Sequence, residues 1–346
     1  MEYSELIKKN LKLHKVDEDH PVVSYLEKKT SASKENSKAR RSLGNLYALY
    51  VVSEDFNLGK RKGSSFSSLL ERMKKKPFGE KLQNHPLDNR LNDEFRRRTG
   101  LEDKYMPITN DLIDGKKTRK ISEDLLTFNA SNPKSVSKFI TSVIDDYINE
   151  ITINQDKFLE KIENCSNEEE LSMLFEECVD EKSDARLFEI FSYCVLYPFY
   201  KKKSASLSVD NKSFYEGALN LYRAGRTNAN DGGIDFILQP TGKIFQVTET
   251  FDFKKYFLDF EKLNRYPITF VIKFEGTEEE AMKIIKSSAS KFSEEQQKIY
   301  LPLFEEIITS VTLRNIFKEL IKNEKEILQI KENLIGAYKL EFGIYS

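Results

Sequence analysis

Through the first two hundred residues the apolar positions mostly recur at three- and four-residue steps. In "RRSLGNLYALYVV" Leu43, Leu46, Tyr47 and Tyr50 fall on one helical face. "SLLERMKKK" predicts a short helix closed by Pro77 and Gly79. "HPLDNRLNDEFRRRTG" predicts one that begins near Pro86 and stops at Gly100. Residues 135–203 read as mostly helix, and Ser166 three places before Glu169 has the spacing of a capping box. "NLGKRKGSSFSS" and "DGKKTRK" read as basic loops.

Near Ser213 the pattern changes. "SFYEGALNLYRAG" predicts an amphipathic helix ending at Gly225. "GGIDFIL" and "KIFQVTE" are short β-rich runs with "QPTG" as the turn between them. "FDFKKYFLDFEKLNR" reads as helix or mixed loop, and "PITFVIKF" as a third strand. "TEEEAMKIIKS" returns to helix. The stretch from Ile299 to Leu334 is expected to be long and helical, and "AYKLEFGIYS" to be a closing strand. The fold class expected is α/β (α+β), a mixed sheet flanked by helices behind a largely helical N-terminal region. The expected division is a basic region 1–134, a helical segment 135–205 and a mixed unit 206–346.

Composition narrows the class. Of 346 residues, 39% are apolar and 32% charged, as in a soluble globular protein. No apolar run is long enough to span a bilayer, and the charged N-terminus lacks a signal-peptide core, so no membrane role and a cytoplasmic location are expected. Three cysteines without metal-type spacing and three scattered histidines argue against a disulfide framework and a zinc site. The net charge of -1 hides an asymmetry. Residues 1–120 carry 27 Lys and Arg against 18 Asp and Glu, a balance of +9; the remainder carries 28 against 38, a balance of -10. A basic first half points to a polyanionic partner. The candidate phosphate contacts are Lys60, Arg61 and Lys62 in one loop, Arg96, Arg97 and Arg98 at a helix end, and Lys116, Lys117 and Arg119 in another loop.

The candidate chemistry lies between Glu216 and Lys273. Asp235 falls inside an apolar run, where a carboxylate needs a partner to offset desolvation. A Mg²⁺-dependent phosphodiesterase needs oxygen ligands on adjacent strands and a polar group beside the attacking water. Asp235 and Gln246 lie on strands joined by a short turn. Gln246 and Thr248 share a strand face, and the Val247 carbonyl is a further oxygen. Glu216 would add an acid from the preceding helix, and Glu249 is a secondary metal-ligand candidate. Ordinary roles stay open beside these. Asp235 could cap a turn or pair with Arg226, Gln246 could satisfy a sheet edge, and Glu216 or the arginines could be solvated surface.

The order "FYEGALNLYRAG", "GGIDF", "GKIFQVTE" resembles the PD-(D/E)xK nuclease superfamily, in its Mrr-like branch. The stretch through "TETFDFKKYFLDFEKLNRYPITFVIK" looks most like the ApaLI-like group of type II restriction endonucleases. The resemblance is strongest over residues 211–275. It implies a restriction-endonuclease-like core, Mg²⁺ as cofactor and cleavage of double-stranded DNA to 5′-phosphate ends. It also implies a homodimer reading a palindrome, and a DNA methyltransferase as genetic companion. On this match Asp235 is the metal-binding aspartate, Gln246 takes the Glu/Gln position and Glu216 that of the helical glutamate. Thr248 stands where the family carries lysine. Lys273 is the first candidate for a migrated lysine, with Lys243, Lys254 and Lys255 behind it. The rival expectations are a catalytically silent DNA-binding protein on the same fold and a helical interaction protein.

Overall fold

The computed structural model describes residues 4–31, 40, 42–80, 82–181, 183–225 and 233–344. The chain divides into two compact units, residues 1–157 and 158–346. The division falls inside one long helix, so the helical segment expected at 135–205 is not a body of its own. Its residues up to Ile151 bury their apolar face in one core, and those from Phe158 onward enter another.

The first unit contains helices α1 (Glu5–His14), α2 (Pro21–Thr30), α3 (Leu43–Asn57), α4 (Phe66–Lys75), α5 (Leu91–Thr99), the short α6 (Glu123–Leu126) and most of α7 (Pro133–Asn164). Helix α3 is buried nearly all round, so it forms the centre of this unit. Leu46, Leu49 and Val52 share its core with Leu87, Leu91 and Phe95, and with Phe139, Val143 and Tyr147 of α7. The helix expected at His85–Gly100 is present. It opens as a π turn at Pro86–Arg90 and ends at Gly100, in the left-handed conformation (φ 67°). "DGKKTRK", expected as a loop, is instead a turn and a strand. Strand β2 (Ile108–Ile113) turns through Asp114 and Gly115, both at positive φ, into β3 (Lys116–Ile121). An Asp-Gly pair at positive φ is the two-residue turn that suits the twist of a hairpin. The two-residue strand β1 (Ser64–Ser65) completes a sheet of order β1–β3–β2.

The second unit holds helices α8 (Glu168–Val179), α9 (Ala185–Lys201), α10 (Phe253–Lys262), α11 (Glu278–Ala289), α12 (Glu294–Tyr300), α13 (Ser310–Leu320) and α14 (Glu324–Phe342). The N-cap of α8 is Asn167, one residue later than expected, and the Glu170 carboxylate reaches back to Ser166. A separate hairpin pairs β4 (Ser204–Val209) with β5 (Lys212–Ala218). The main sheet has the order β10–β9–β8–β7–β6, with β6 (Asn220–Arg223), β7 (Phe236–Gln239), β8 (Lys243–Thr248), β9 (Ile268–Ile272) and β10 (Phe304–Thr309). The β6–β7 and β7–β8 pairs are antiparallel; β8–β9 and β9–β10 are parallel.

Three expectations change here. "SFYEGALNLYRAG" is not a helix: it supplies most of β5 and all of β6. Asp210 and Asn211, at φ 51° and 61°, form the two-residue turn that starts the hairpin. The stretch expected as one long helix is broken by "FEEIIT", which forms β10 beside β9. Residues 337–342 of "AYKLEFGIYS" close α14 rather than form a strand, because Leu334, Tyr338 and Phe342 all bury on one helical face.

The sheet separates two cores. On one face α9, α13 and α14 pack over Phe236, Leu238, Phe245 and Val271. On the other, Tyr256 and Phe260 of α10 and Ile285 of α11 pack over Phe270, Ile272 and Phe304. Each such side chain contributes roughly 1.5–3 kcal/mol by its burial. Strand β7 alternates between buried and exposed, so a one-residue slip would turn Phe236 and Leu238 out to water and fixes the register. Strand β9 is buried on both faces, as its unbroken "ITFVI" requires.

Candidate active site

Asp235 sits at the head of β7, half-buried. Its N–H donates to Phe245 O (2.9 Å) and its carbonyl accepts Ala224 N–H (2.9 Å), so its backbone is held between β6 and β8. Its side chain accepts the N–H of Val247 through Oδ2 at 2.6 Å. The β7–β8 ladder ends at the pair Phe236↔Phe245, and the carboxylate serves the next amide of β8 in place of a strand carbonyl. That is one partner of the embedded carboxylate. Arg226, the other partner considered, lies outside the described residues.

Phe236 and Phe245 face the α9 side. Alternation therefore places Asp235, Gln246 and Thr248 on the opposite face, the one covered by α10. Gln246 is 8% exposed, and its Oε1 has no hydrogen-bond partner among the described residues. Thr248 is 3% exposed. Its Oγ1 accepts from Nζ of Lys255 at 3.0 Å. Helix α10 carries Lys255, Asp259 and Lys262 at four- and three-residue spacing, a polar stripe beside its buried Phe253, Tyr256 and Phe260. Four helical residues rise about 6 Å and two strand residues about 6.7 Å, so this stripe keeps step with Thr248 and Gln246. Asp259 is 3% exposed, accepts from Lys262 Nζ at 2.9 Å through Oδ1, and lies beside Gln246 next to Gly233.

Lys273, the first candidate for the missing lysine, is elsewhere. It follows Ile272 in the register that sets Thr248 beside Ile272, so it falls level with Glu249 on the α9 face. Its Nζ donates to Glu249 Oε1 (2.9 Å) and Ser183 O (2.8 Å), and its side chain is 3% exposed. Glu249 is therefore tied into an ion pair away from Gln246. Lys243, at the other end of β8, pairs with Glu306, and Lys254 is exposed. Glu216 is exposed on β5, opposite Ser206 in the separate hairpin. The helix against β6 is α9. Its Glu189, 5% exposed, accepts from Arg223 Nη2 at 3.1 Å, and Arg223 also meets Glu341 at 3.5 Å. Glu189 and Asp259 escaped the sequence reading. Each had a signal, a lone acid in "RLFEIF" and in "YFLDF", where the neighbours are core residues.

As a cation site this face offers oxygen: the Asp235 carboxylate, the Gln246 Oε1 that has no partner among the described residues, and the Val247 carbonyl. Such donors suit a hard divalent ion. No cluster of three or more His, Cys, Asp or Glu side chains with metal-site geometry occurs among the described residues. A carboxamide oxygen falls outside such a count, so a site of one acid, one amide and a carbonyl is compatible with it.

The basic candidates of the first unit divide by partner. Arg96 bonds Asp93 and Asp103, Arg98 bonds Glu94, and Arg119 bonds Asp88 and lies over the Phe66 ring. Lys60 approaches Asp55 at 3.6 Å, Arg61 stacks on Phe56, and Arg97 donates to the Asp93 carbonyl. Lys62, Lys116 and Lys117 are exposed and form no ion pair among the described residues. The loop of Lys62 and the hairpin of Lys116 and Lys117 meet in one three-stranded sheet, where Thr118 Oγ1 donates to Lys62 O at 2.6 Å.

No protein-family model, curated protein or solved structure matches the chain. Among the described residues, no helix is long and apolar enough to cross a membrane.

Proposed function

We propose that the chain is a Mg²⁺-dependent endonuclease of double-stranded DNA with a PD-(D/E)xK-type core, acting as a type II restriction enzyme. The observation that carries this reading is the Lys255 ammonium on Thr248 Oγ1, 3.0 Å away. It brings a cation to the position where the resemblance demands lysine and the strand has threonine. The antiparallel run β6–β7–β8, followed by the crossover α10 and the parallel β9, supports the same reading. So does Asp235 at the head of β7, beside the Gln246 position.

In this reading Asp235, Gln246 and the Val247 carbonyl hold Mg²⁺. When bound, the ion supplies Lewis-acid polarisation of the phosphodiester and a more acidic water. Lys255 hydrogen-bonds the attacking water and stabilises the charge that develops on the phosphate oxygens. Thr248 fixes where that ammonium sits. Glu189 is a positioning residue: through Arg223 it holds the end of β6, and the following residue, Ala224, bonds the Asp235 carbonyl. Lys62, Lys116 and Lys117 meet phosphates. The products carry 5′-phosphate and 3′-hydroxyl ends. A second copy supplies the other strand's site on a palindrome, and a DNA methyltransferase protects the host.

The test is digestion of unmodified phage DNA. Discrete bands with Mg²⁺ and none with EDTA are expected; no cutting with any divalent ion sinks the proposal. Thr248 in the lysine position favours one rival, a catalytically silent DNA-binding protein. On that reading Asp235→Ala leaves metal-free DNA affinity unchanged and the wild type never nicks.

A further inference from the structure

Two buried acceptor oxygens stand on the α10 face of the sheet without a donor. One is Oε1 of Gln246, the other Oδ2 of Asp259; their residues are 8% and 3% exposed, and neither atom has a hydrogen-bond partner among the described residues. Both side chains close on one point. A Cβ on Gly233 would stand 3.1 Å from Gln246 Oε1 and 3.4 Å from Asp259 Oδ1. Gly233, at φ +90°, is two residues from Asp235. The position thus requires a glycine for its conformation and tolerates little beyond one for space. Lys262 touches only Oδ1, and its side chain is 52% exposed. Buried acceptors are almost always satisfied, and a pair that is not calls for an ion or a water. The two oxygens are hard donors and come from an acid and an amide, a set that takes a divalent cation.

We propose that Asp259 is an oxygen ligand of the divalent cation, alongside Asp235 and Gln246. This rests on the nuclease reading above, so the test reads metal binding rather than cleavage. The full-length protein, without DNA, is titrated with Mn²⁺ while free Mn²⁺ is followed by its electron paramagnetic resonance signal. Asp259→Asn keeps the shape and removes the charge. It is expected to weaken Mn²⁺ binding at least tenfold, as Asp235→Asn does. If the Gln246 carboxamide is turned so that Nε2 donates to Asp259, the two residues satisfy each other. Asp259→Asn then titrates like the wild type while Asp235→Asn is weakened. That result overturns this inference and leaves the nuclease site standing. Wild-type titration by both variants overturns the inference and the nuclease reading together. Should Asp259→Asn fail to fold by circular dichroism, Lys262→Ala decides, because Lys262 is half-exposed and competes for the same carboxylate. Several-fold tighter Mn²⁺ binding supports the proposal, and unchanged binding overturns it.

Discussion

His20 caps α2 with its ring: Nδ1 accepts the Val22 N–H, and Nε2 meets the Leu125 carbonyl at 3.0 Å. The carbonyl can only accept, so the ring is neutral with its proton on Nε2. Burial lowers its pKa from 6.5 to about 4. The folded protein thus holds a neutral ring where the unfolded chain takes a proton. Stability is full above pH 6.5 and falls as pH drops from there to about 4. The loss is at most about 3 kcal/mol. Urea unfolding at pH 7 and pH 5 is expected to show part of that loss in the wild type. His20→Asn, which keeps a capping side chain without titrating, is expected to lack it. Lys255 and Lys254 differ in the same local way: Lys255 meets Thr248 and Lys254 is exposed. Lys255→Met is expected to slow DNA cleavage by about 10²–10³-fold, the usual cost of removing one donor to developing charge. Lys254→Met, one residue away and exposed, is expected to leave the rate unchanged. Asp235 and Gln246 could be singled out from sequence because a carboxylate and an amide interrupt apolar strands. Lys255 could not be preferred over Lys273, because that choice depends on which sheet face each occupies. Strand alternation beyond Thr248 sends Lys273 to Glu249 and the α9 side.

Elements were legible where one periodicity dominated. The "ITFVI" strand, the "QPTG" turn and the Tyr256–Phe260 face of α10 formed as read. They were misread where two periodicities fit at once. In "SFYEGALNLYRAG" the spacing of Phe214, Ala218 and Leu221 suits a helix, but Leu221 of β6, and Leu219 just before that strand, alternate into the core. In the C-terminal segment Tyr338, Leu340 and Phe342 alternate, yet only Tyr338 and Phe342 are buried. The decisive cues are two-residue turns: Asp114-Gly115, inside the expected loop "DGKKTRK", and Asp210-Asn211, ahead of the expected helix. Gly115 has open space around it at φ 74°, so its substitution carries only a backbone cost. Gly115→Ala is expected to destabilise by roughly 1 kcal/mol in chemical denaturation, the left-handed penalty of a side chain. Thr277, which forms a full capping box with Glu280 at the start of α11, gives a comparison. Thr277→Ala is expected to lower stability by about 1 kcal/mol.

Across the molecule the charge asymmetry follows the division into units. Residues 1–157 carry 30 Lys and Arg against 24 Asp and Glu, a balance of +6; residues 158–346 carry 25 against 32, a balance of -7. On the nuclease reading the first unit supplies the phosphate grip and the second the chemistry. Arg72, Arg96, Arg98 and Arg119 are already paired with acids, so Lys62, Lys116 and Lys117, which form no ion pair among the described residues, carry the salt dependence. Replacing Lys62, Lys116 and Lys117 together by Ala is expected to reduce the slope of log affinity against log salt by about 3, since each phosphate contact contributes about 0.9. An unchanged slope would assign the grip to other residues.

On the nuclease reading Asp235 and Lys255 act at one phosphodiester. Unmodified phage DNA is incubated with equal amounts of wild type, Asp235→Asn and Lys255→Met in Mg²⁺, and band formation is timed. The wild type is expected to give discrete fragments, Asp235→Asn none, and Lys255→Met the same fragments about 10²–10³-fold more slowly. Cutting by Asp235→Asn at the wild-type rate would mean that Asp235 holds no catalytic ion.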